Sequence, residues 1–404
     1  MTARRLVVLG TLASNPFAGM AWMHMQITAG LRRLGHDVYY FETTSTWPYD
    51  PLRLMKVEDS DYAVPYLARV AEGFGLGDRW AYRRSYADGE WFGLDRRRAE
   101  DLLAHADAVL NVSGSTRLAK EGLKVGRPVY FGTDPVGHEI AYAKGDPEIR
   151  TLIDEHHDCV TYGENIGNPD CPIPPLPRLR ARTRQPVLLD CWQAGPPTRS
   201  EFTTVGNWKQ LGEDLEFRGE IYTWSKHHEF LKFLDLPWRT GQRLELATNL
   251  APRTPIREDD NEAIPALGLV GDDYELLKSH GWLLVDGPAF STDPWRYRDY
   301  VQASQGEFTV ARDLNVRLRS GWFSERSACY LAAGRPVVTQ DTGFGTVLPT
   351  GQGLFAFNTM EDILAAFDAI RSNPERHRRA ARAIAKEYFC AETVLSKLLT
   401  DLGL

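Results

Sequence analysis

The order of apolar runs and glycines near the N-terminus constrains the fold more than any other feature of the chain. Residues 6–10 read LVVLG, a short apolar run closed by glycine, and predict a buried strand. The loop TLASNPFAG follows, broken by Pro16 and Gly19. Met20, Met23, Ile27, Leu31 and Leu34 then recur at helical spacing, and Gly35 stops that helix. Residues 38–41 (VYYF) are the next apolar run. Strand, loop, helix, strand is a βαβ unit, and such crossovers are right-handed.

The alternation continues. Residues 99–106 predict a helix and 108–112 a strand that ends at Ser113-Gly114-Ser115. Residues 129–131 predict a strand ending at Gly132-Thr133-Asp134-Pro135, and 159–162 another. This pattern implies an open, mostly parallel α/β sheet. Residues 45–95, rich in Trp, Tyr and Asp, fit it poorly and read as an insertion or helical excursion.

Six prolines fall within residues 165–186, too many for a helix or a central strand. This segment reads as a linker, and with 404 residues the chain has length for two domains. After it the alternation restarts. Strands are expected at 187–190, 220–224, 282–285, 307–310 and 336–339, with a further apolar run at 267–270. Residues 325–333 (ERSACYLAA), 361–370, 376–388 and 391–399 predict helices.

Bulk properties exclude several classes. The net charge of −7 gives no overall basic footprint for nucleic acid. Basic clusters at 96–98, 178–184 and 376–382 read as solvated faces. The five cysteines are odd in number and include no CxxC pair, against both a disulfide framework and a zinc site. No apolar run is long enough to span a membrane, and none near the N-terminus suits a secretory signal. The cytoplasm is the expected compartment.

The segment Ser320-Gly321-Trp322-Phe323-Ser324-Glu325-Arg326-Ser327 carries the strongest chemical signal. Ser324 is placed to cap a helix whose first-turn N–H groups attract an anion. Gly321 permits close backbone approach to a ligand. Arg326 offers a planar fork suited to phosphate. Together these predict a diphosphate cradle.

The stretch GWFSERSACYLAAGRPVVTQDTGFG resembles the donor-binding segment of GT-B glycosyltransferases. Its likeness lies in a short helix with a phosphate-binding start, a strand entry of the YLAAGRPVV kind, and a polar donor-contacting loop. The resemblance covers residues 307–399 and, more loosely, 1–45; between them only architecture supports it. It implies two Rossmann-like parallel-sheet domains facing a cleft, with a C-terminal helix crossing back. The corresponding boundaries are 1–164 for the acceptor-side domain, 165–186 for the linker, 187–387 for the nucleotide-sugar domain and 388–404 for the returning helix. It further implies a metal-independent transferase using a nucleoside-diphosphate sugar, with UDP or TDP as the nucleotide and no resident cofactor. Two markers of well-known subgroups are absent. Glu325 has no second glutamate eight positions on, where Ala333 stands, and Arg319-Ser320-Gly321-Trp322 replaces His-Cys-Gly-Trp. Inversion and retention therefore both stay open.

On the donor side the resemblance adds Gly206 and Asn207 at a turn, Lys226 as a point charge, Glu307 for a ribose hydroxyl, and Asp341 and Thr342 for the sugar. Ser327 and Gly343 complete that set. On the acceptor side, His24 and Asp134 are the candidate general bases, with His138 behind them. The aromatic residues of 45–95 suit an apolar acceptor pocket or a core equally; small-molecule and glycan acceptors both remain. A sugar-nucleotide epimerase, a phosphorylase and a non-catalytic binding protein share this architecture. A dinucleotide oxidoreductase is disfavoured because GTLASNPFAG replaces GxGxxG after the first strand.

Overall fold

The computed structural model describes residues 3–210, 212–250 and 272–404. The apolar run expected at 267–270 lies outside them. The chain divides into two compact units. One comprises Met1–Gly167, Ile173–Leu188 and Phe389–Leu404; the other comprises Asn168–Pro172 and Leu189–Tyr388.

In the first unit, β1 (Arg5–Leu9), α1 (Ala18–Arg33) and β2 (Asp37–Thr43) form the βαβ unit read from the sequence. A short hairpin of β3 (Tyr49–Asp50) and β4 (Met55–Lys56) follows, then α2 (Ala63–Gly73), β5 (Trp80–Arg83) and β6 (Trp91–Gly93). Next come α3 (Arg96–Ala104), β7 (Ala108–Val112), β8 (Pro128–Gly132), α4 (Gly137–Lys144) and α5 (Pro147–Asp154). The unit continues with β9 (Asp158–Thr161) and β10 (Leu179–Arg182). The sheet order is β10-β9-β8-β7-β1-β2-β5-β6, parallel except at the β5–β6 edge. β7 is buried throughout, because parallel strands covered on both faces read as unbroken apolar runs.

Residues 45–95 are therefore more than an excursion. β5 pairs in parallel with β2, so this region supplies two strands of the main sheet. The proline-rich segment also differs from a free linker. β10 contains no proline itself and pairs with β9 at the sheet edge, where a proline-flanked strand is tolerated. The strand expected at 187–190 is absent. Val187 makes one bridge to Cys390, and Leu189–Cys191 is a 3-10 turn. A run of four apolar residues cannot distinguish a strand from any other buried segment.

The last helix packs on α1 within this unit. A Cβ on Gly30 would come 2.5 Å from Leu395 Cδ1, so the glycine lets the two helices approach closely.

The second unit begins with β11 (Phe202–Val205), the hairpin β12 (Leu215–Phe217) with β13 (Glu220–Tyr222), α6 (His227–Leu231) and α7 (Leu236–Thr240). β14 (Leu244–Thr248), α8 (Asp272–Ser279), β15 (Leu283–Asp286), α9 (Pro288–Ser291) and α10 (Pro294–Ala303) follow. Then come β16 (Gly306–Thr309), α11 (Asp313–Arg317), α12 (Glu325–Ala332), β17 (Val337–Gln340) and β18 (Leu354–Phe357). Two helices, α13 (Met360–Ser372) and α14 (Pro374–Ile384), end the unit; α15 (Ala391–Asp401) is the one that returns to α1.

The second sheet runs β15-β14-β11-β16-β17-β18, with every pairing parallel. In chain order this is 3-2-1-4-5-6, the doubly wound arrangement, with its topological switch point between β11 and β16. Phe202, Phe308, Val338, Phe357 and Phe367 anchor the core on one face. Each such side chain, fully buried, stabilises the fold by about 1.5–3 kcal/mol.

Candidate functional site

At the switch point of the second sheet, β11 ends at Val205 and β16 at Thr309. Ligands of doubly wound sheets bind outside the carboxyl ends of the strands at this point. Gly206 and Asn207 leave β11 there, both exposed. α12 starts over the same strand ends.

Arg326, in the first turn of α12, joins the two strands. Its Nε donates to Glu307 Oε1 at 2.5 Å, its Nη1 to the Val205 carbonyl at 2.8 Å and its Nη2 to Thr309 Oγ1 at 2.9 Å. Burial works against the guanidinium charge, but the Glu307 carboxylate outweighs it, so the pKa is raised. A Cβ on Gly206 would stand 3.9 Å from Arg326 Nη1, so that turn lies directly over the guanidinium.

This bears on two expected site residues. Each nitrogen of the Arg326 fork makes one hydrogen bond within the unit, so three of its five N–H donors are used there and the fork is fixed rather than free. Glu307 is fully buried beside it, with Oε1 on Arg326 and Oε2 without a hydrogen-bond partner among the described residues. The Glu307 carboxylate, supplied by β16, offsets the cost of burying this guanidinium.

Ser324 corrects an expectation. It occupies the N-cap of α12, but its side chain makes no capping hydrogen bond. The first-turn N–H groups are therefore not satisfied by the cap residue, and the helix start keeps its anion-attracting character. Ser327 is fully buried, and its Oγ has no hydrogen-bond partner among the described residues.

The loop after β17 is bound to the segment before α12. Gly321, with φ of +77°, donates its N–H to the Thr342 carbonyl at 2.7 Å, and the Thr342 hydroxyl donates to the Trp322 carbonyl at 2.5 Å. The Thr342 hydroxyl is thus engaged by the backbone of the neighbouring loop. Asp341 accepts from the Gly343 N–H at 2.8 Å and lies 3.6 Å from Arg319 Nη1. Gly343 adopts the left-handed region, with φ of +89°. Lys226 lies over the Trp322 ring, its Nζ 5.3 Å from the centroid, which brings this cation to the same segment.

In the first unit the reversal of strand order lies between β1 and β7. His24, on α1, is buried beneath the loop that leaves β1. Its Nε2 accepts from the Thr11 N–H at 3.4 Å, and its Nδ1 faces the Met20 carbonyl at 2.8 Å. Burial lowers its pKa to about 4. Both ring nitrogens are engaged within the fold, so the site expected for a base is a core position. Asp134 is exposed at the end of β8, followed by Val136 in a strained backbone with φ of +98°. His138 is hydrogen-bonded to the Tyr130 hydroxyl at 2.5 Å, and burial lowers its pKa.

Sequence reasoning missed Glu42. At the end of β2 it is fully buried and accepts from the Ala13 N–H at 2.7 Å, the Ser14 N–H at 2.6 Å, the Ser14 hydroxyl at 2.5 Å and the Tyr40 hydroxyl at 3.1 Å. Burial raises its pKa to about 7 against the pull of these donors. The glutamate that follows the apolar run VYYF was the available signal. Among the described residues no three His, Cys, Asp or Glu side chains gather as a metal-binding group, and no helix is long and apolar enough to cross a membrane.

No family model matches the sequence, and no curated protein matches it. Solved structures do match. An α-glucosyltransferase in complex with UDP and a 13-mer DNA containing a central A:G mismatch aligns over 100% of both chains, with a TM-score of 0.59 at 9% identity. Alr3699/HepE of Anabaena, in complex with UDP and glucose, aligns over 99% of both chains, with a TM-score of 0.54 at 9% identity. A glycosyltransferase from Rickettsia africae ESF-5 covers 99% of this chain and 98% of its own, with a TM-score of 0.53 at 10% identity. The chain therefore has the GT-B fold, with two Rossmann-like α/β units.

Proposed function

We propose that this protein transfers a sugar from a nucleoside-diphosphate sugar to a hydroxyl acceptor. One observation carries the reading: the start of α12, whose N-cap Ser324 makes no side-chain capping hydrogen bond, stands at the switch point of the second GT-B sheet. The donor diphosphate would lie against those first-turn N–H groups and the exposed Gly206-Asn207 turn, with Lys226 as the nearby cation. These groups meet the charge that develops on the departing diphosphate. The nucleotide sugar enters as substrate, with no resident cofactor or metal.

The structural neighbours favour UDP as the nucleotide, since two of them hold it. On the acceptor side, Asp134 is the proposed general base, exposed at a strand end. His24 is proposed to position the loop after β1 from below. The exposed Trp47, Leu52 and Met55 near the β3–β4 hairpin suit an apolar small-molecule acceptor.

The test is thermal stabilisation by UDP, GDP, TDP and NAD. A nucleoside diphosphate should raise Tm, because a ligand that binds only the folded state stabilises it. Stabilisation by NAD alone would overturn the proposal. Lys226→Ala should weaken UDP binding, and Asp134→Asn should lower turnover while leaving UDP binding intact.

A further inference from the structure

The basic run at residues 376–382 looks like a solvated helix face in sequence. Folded, it lines a cavity of about 380 Å³ in the second unit, together with Lys386. The volume lies within the range of small-molecule pockets. Arg378, Arg379, Arg382 and Lys386 surround it, and Glu375 is the carboxylate among its lining residues. Its floor is made of Ala194, Gly195, Pro196 and Gly334, which leave room for a ligand. This concentration of positive charge belongs to a chain whose net charge is −7.

Arg378 and Arg382 are held by close contacts, whereas Arg379 and Lys386 are exposed. Arg382 donates to the carbonyl oxygens of Trp192 and Leu189, each at 3.0 Å, and to that of Ala332. Carbonyl dipoles orient a guanidinium without cancelling its charge. Arg335, next to Gly334 in the chain, is 1% exposed and donates Nε and Nη2 to the Gln302 carbonyl. Its Nη1 has no hydrogen-bond partner among the described residues. Burial, and then the charge of Arg378, lower its pKa to about 10, which leaves it protonated at neutral pH. Glu375 already pairs with Arg378 and lies 4.0 Å from Arg379 Nε. Lys386 follows on a π-helical turn, Ala385–Phe389, a deviation that is frequent at functional sites.

Gly334 follows the C-terminal end of α12, whereas the proposed donor cradle lies at its N-terminal end. Eight residues of helix separate the two by about 12 Å. We propose that this cavity is a second anion site, built for a phosphate group carried on a small molecule or on a lipid headgroup. Phosphate suits it because Arg378, Arg379, Arg382 and Lys386 line it, against Glu375 in the lining and Asp190 acting on Arg382.

The experiment uses the full chain and the double variant R379E/K386E. Both side chains are exposed, and neither caps α12, so the fold should be retained. Inorganic tripolyphosphate binding is measured by calorimetry at low salt. Flotation with phosphatidylglycerol vesicles is compared with flotation on phosphatidylcholine. The variant should bind tripolyphosphate at least about tenfold more weakly, because two cations of the lining are replaced by two carboxylates. Its UDP-induced Tm shift should equal that of the wild type, which separates this site from the donor cradle. Loss of phosphatidylglycerol flotation with tripolyphosphate binding unchanged would assign the headgroup as the source. Equal behaviour of wild type and variant toward both probes, or binding of neither probe by the wild type, would overturn the site.

Discussion

Arg326 and Glu307 meet at 2.5 Å beneath the Gly206 turn, and that ion pair fastens α12 to the two strands flanking the switch point. Removing one partner of a buried pair leaves an uncompensated charge, which costs about 3–5 kcal/mol. R326M should lower stability by that amount in urea unfolding. The double variant E307Q/R326M should recover most of the loss, since neither charge remains. A loss below about 1 kcal/mol for R326M alone would show that the pair does not hold the helix start.

Gly10 closes β1 directly against His24. A Cβ there would lie 2.2 Å from His24 Cδ2 and 2.6 Å from the Tyr40 hydroxyl. Gly10→Ala should therefore destabilise the first unit by about 1–3 kcal/mol through overpacking. The combined variant G10A/H24A should regain stability relative to G10A. Thermal unfolding of the three variants tests this, and an unchanged Tm for G10A would contradict the tight packing.

Glu42 makes stability depend on pH. Its folded pKa, about 7, lies above the ordinary 4.5, so the folded state holds the proton more tightly than the unfolded chain. The stabilisation is complete below pH 4.5 and is lost as pH rises through 7, a change on the order of 3 kcal/mol. Glu139, also raised to about 7 by burial, acts in the same direction. The difference between wild type and E42Q isolates Glu42. Wild-type stability relative to E42Q should fall from pH 5 to pH 8 in urea titrations, and a pH-independent difference would count against a titrating Glu42.

His24 should stay neutral from pH 5 to pH 8, because burial lowers its pKa to about 4. Its Nε2 accepts from the Thr11 N–H, so the ring proton belongs on Nδ1, toward Met20. Nitrogen-detected NMR of the imidazole should show that tautomer and no titration in this interval. A midpoint near 6.5 would mean that the ring is solvated after all.

The local pattern of the chain was legible in its sequence. LVVLG, VYYF and AVLNV marked strands, Gly35 ended α1, and ERSACYLAA marked α12, because burial on both faces and the 3.6-residue period are written in consecutive residues. The donor-side segment was legible for the same reason, being contiguous. What tertiary structure decided was partnership. The Arg326 fork was fixed only when β16 placed Glu307 beside it, and Glu42 acquired three of its four donors only when the loop after β1 folded over β2. β5 entered the sheet from a region whose alternation was too irregular to read. Arg379 and Lys386 became parts of a cavity because α14 packs near Gly334. Pairings of this kind depend on which strand ends become neighbours. That choice belongs to the strand order of the sheet, 3-2-1-4-5-6 in the second unit, and no window of adjacent residues contains it.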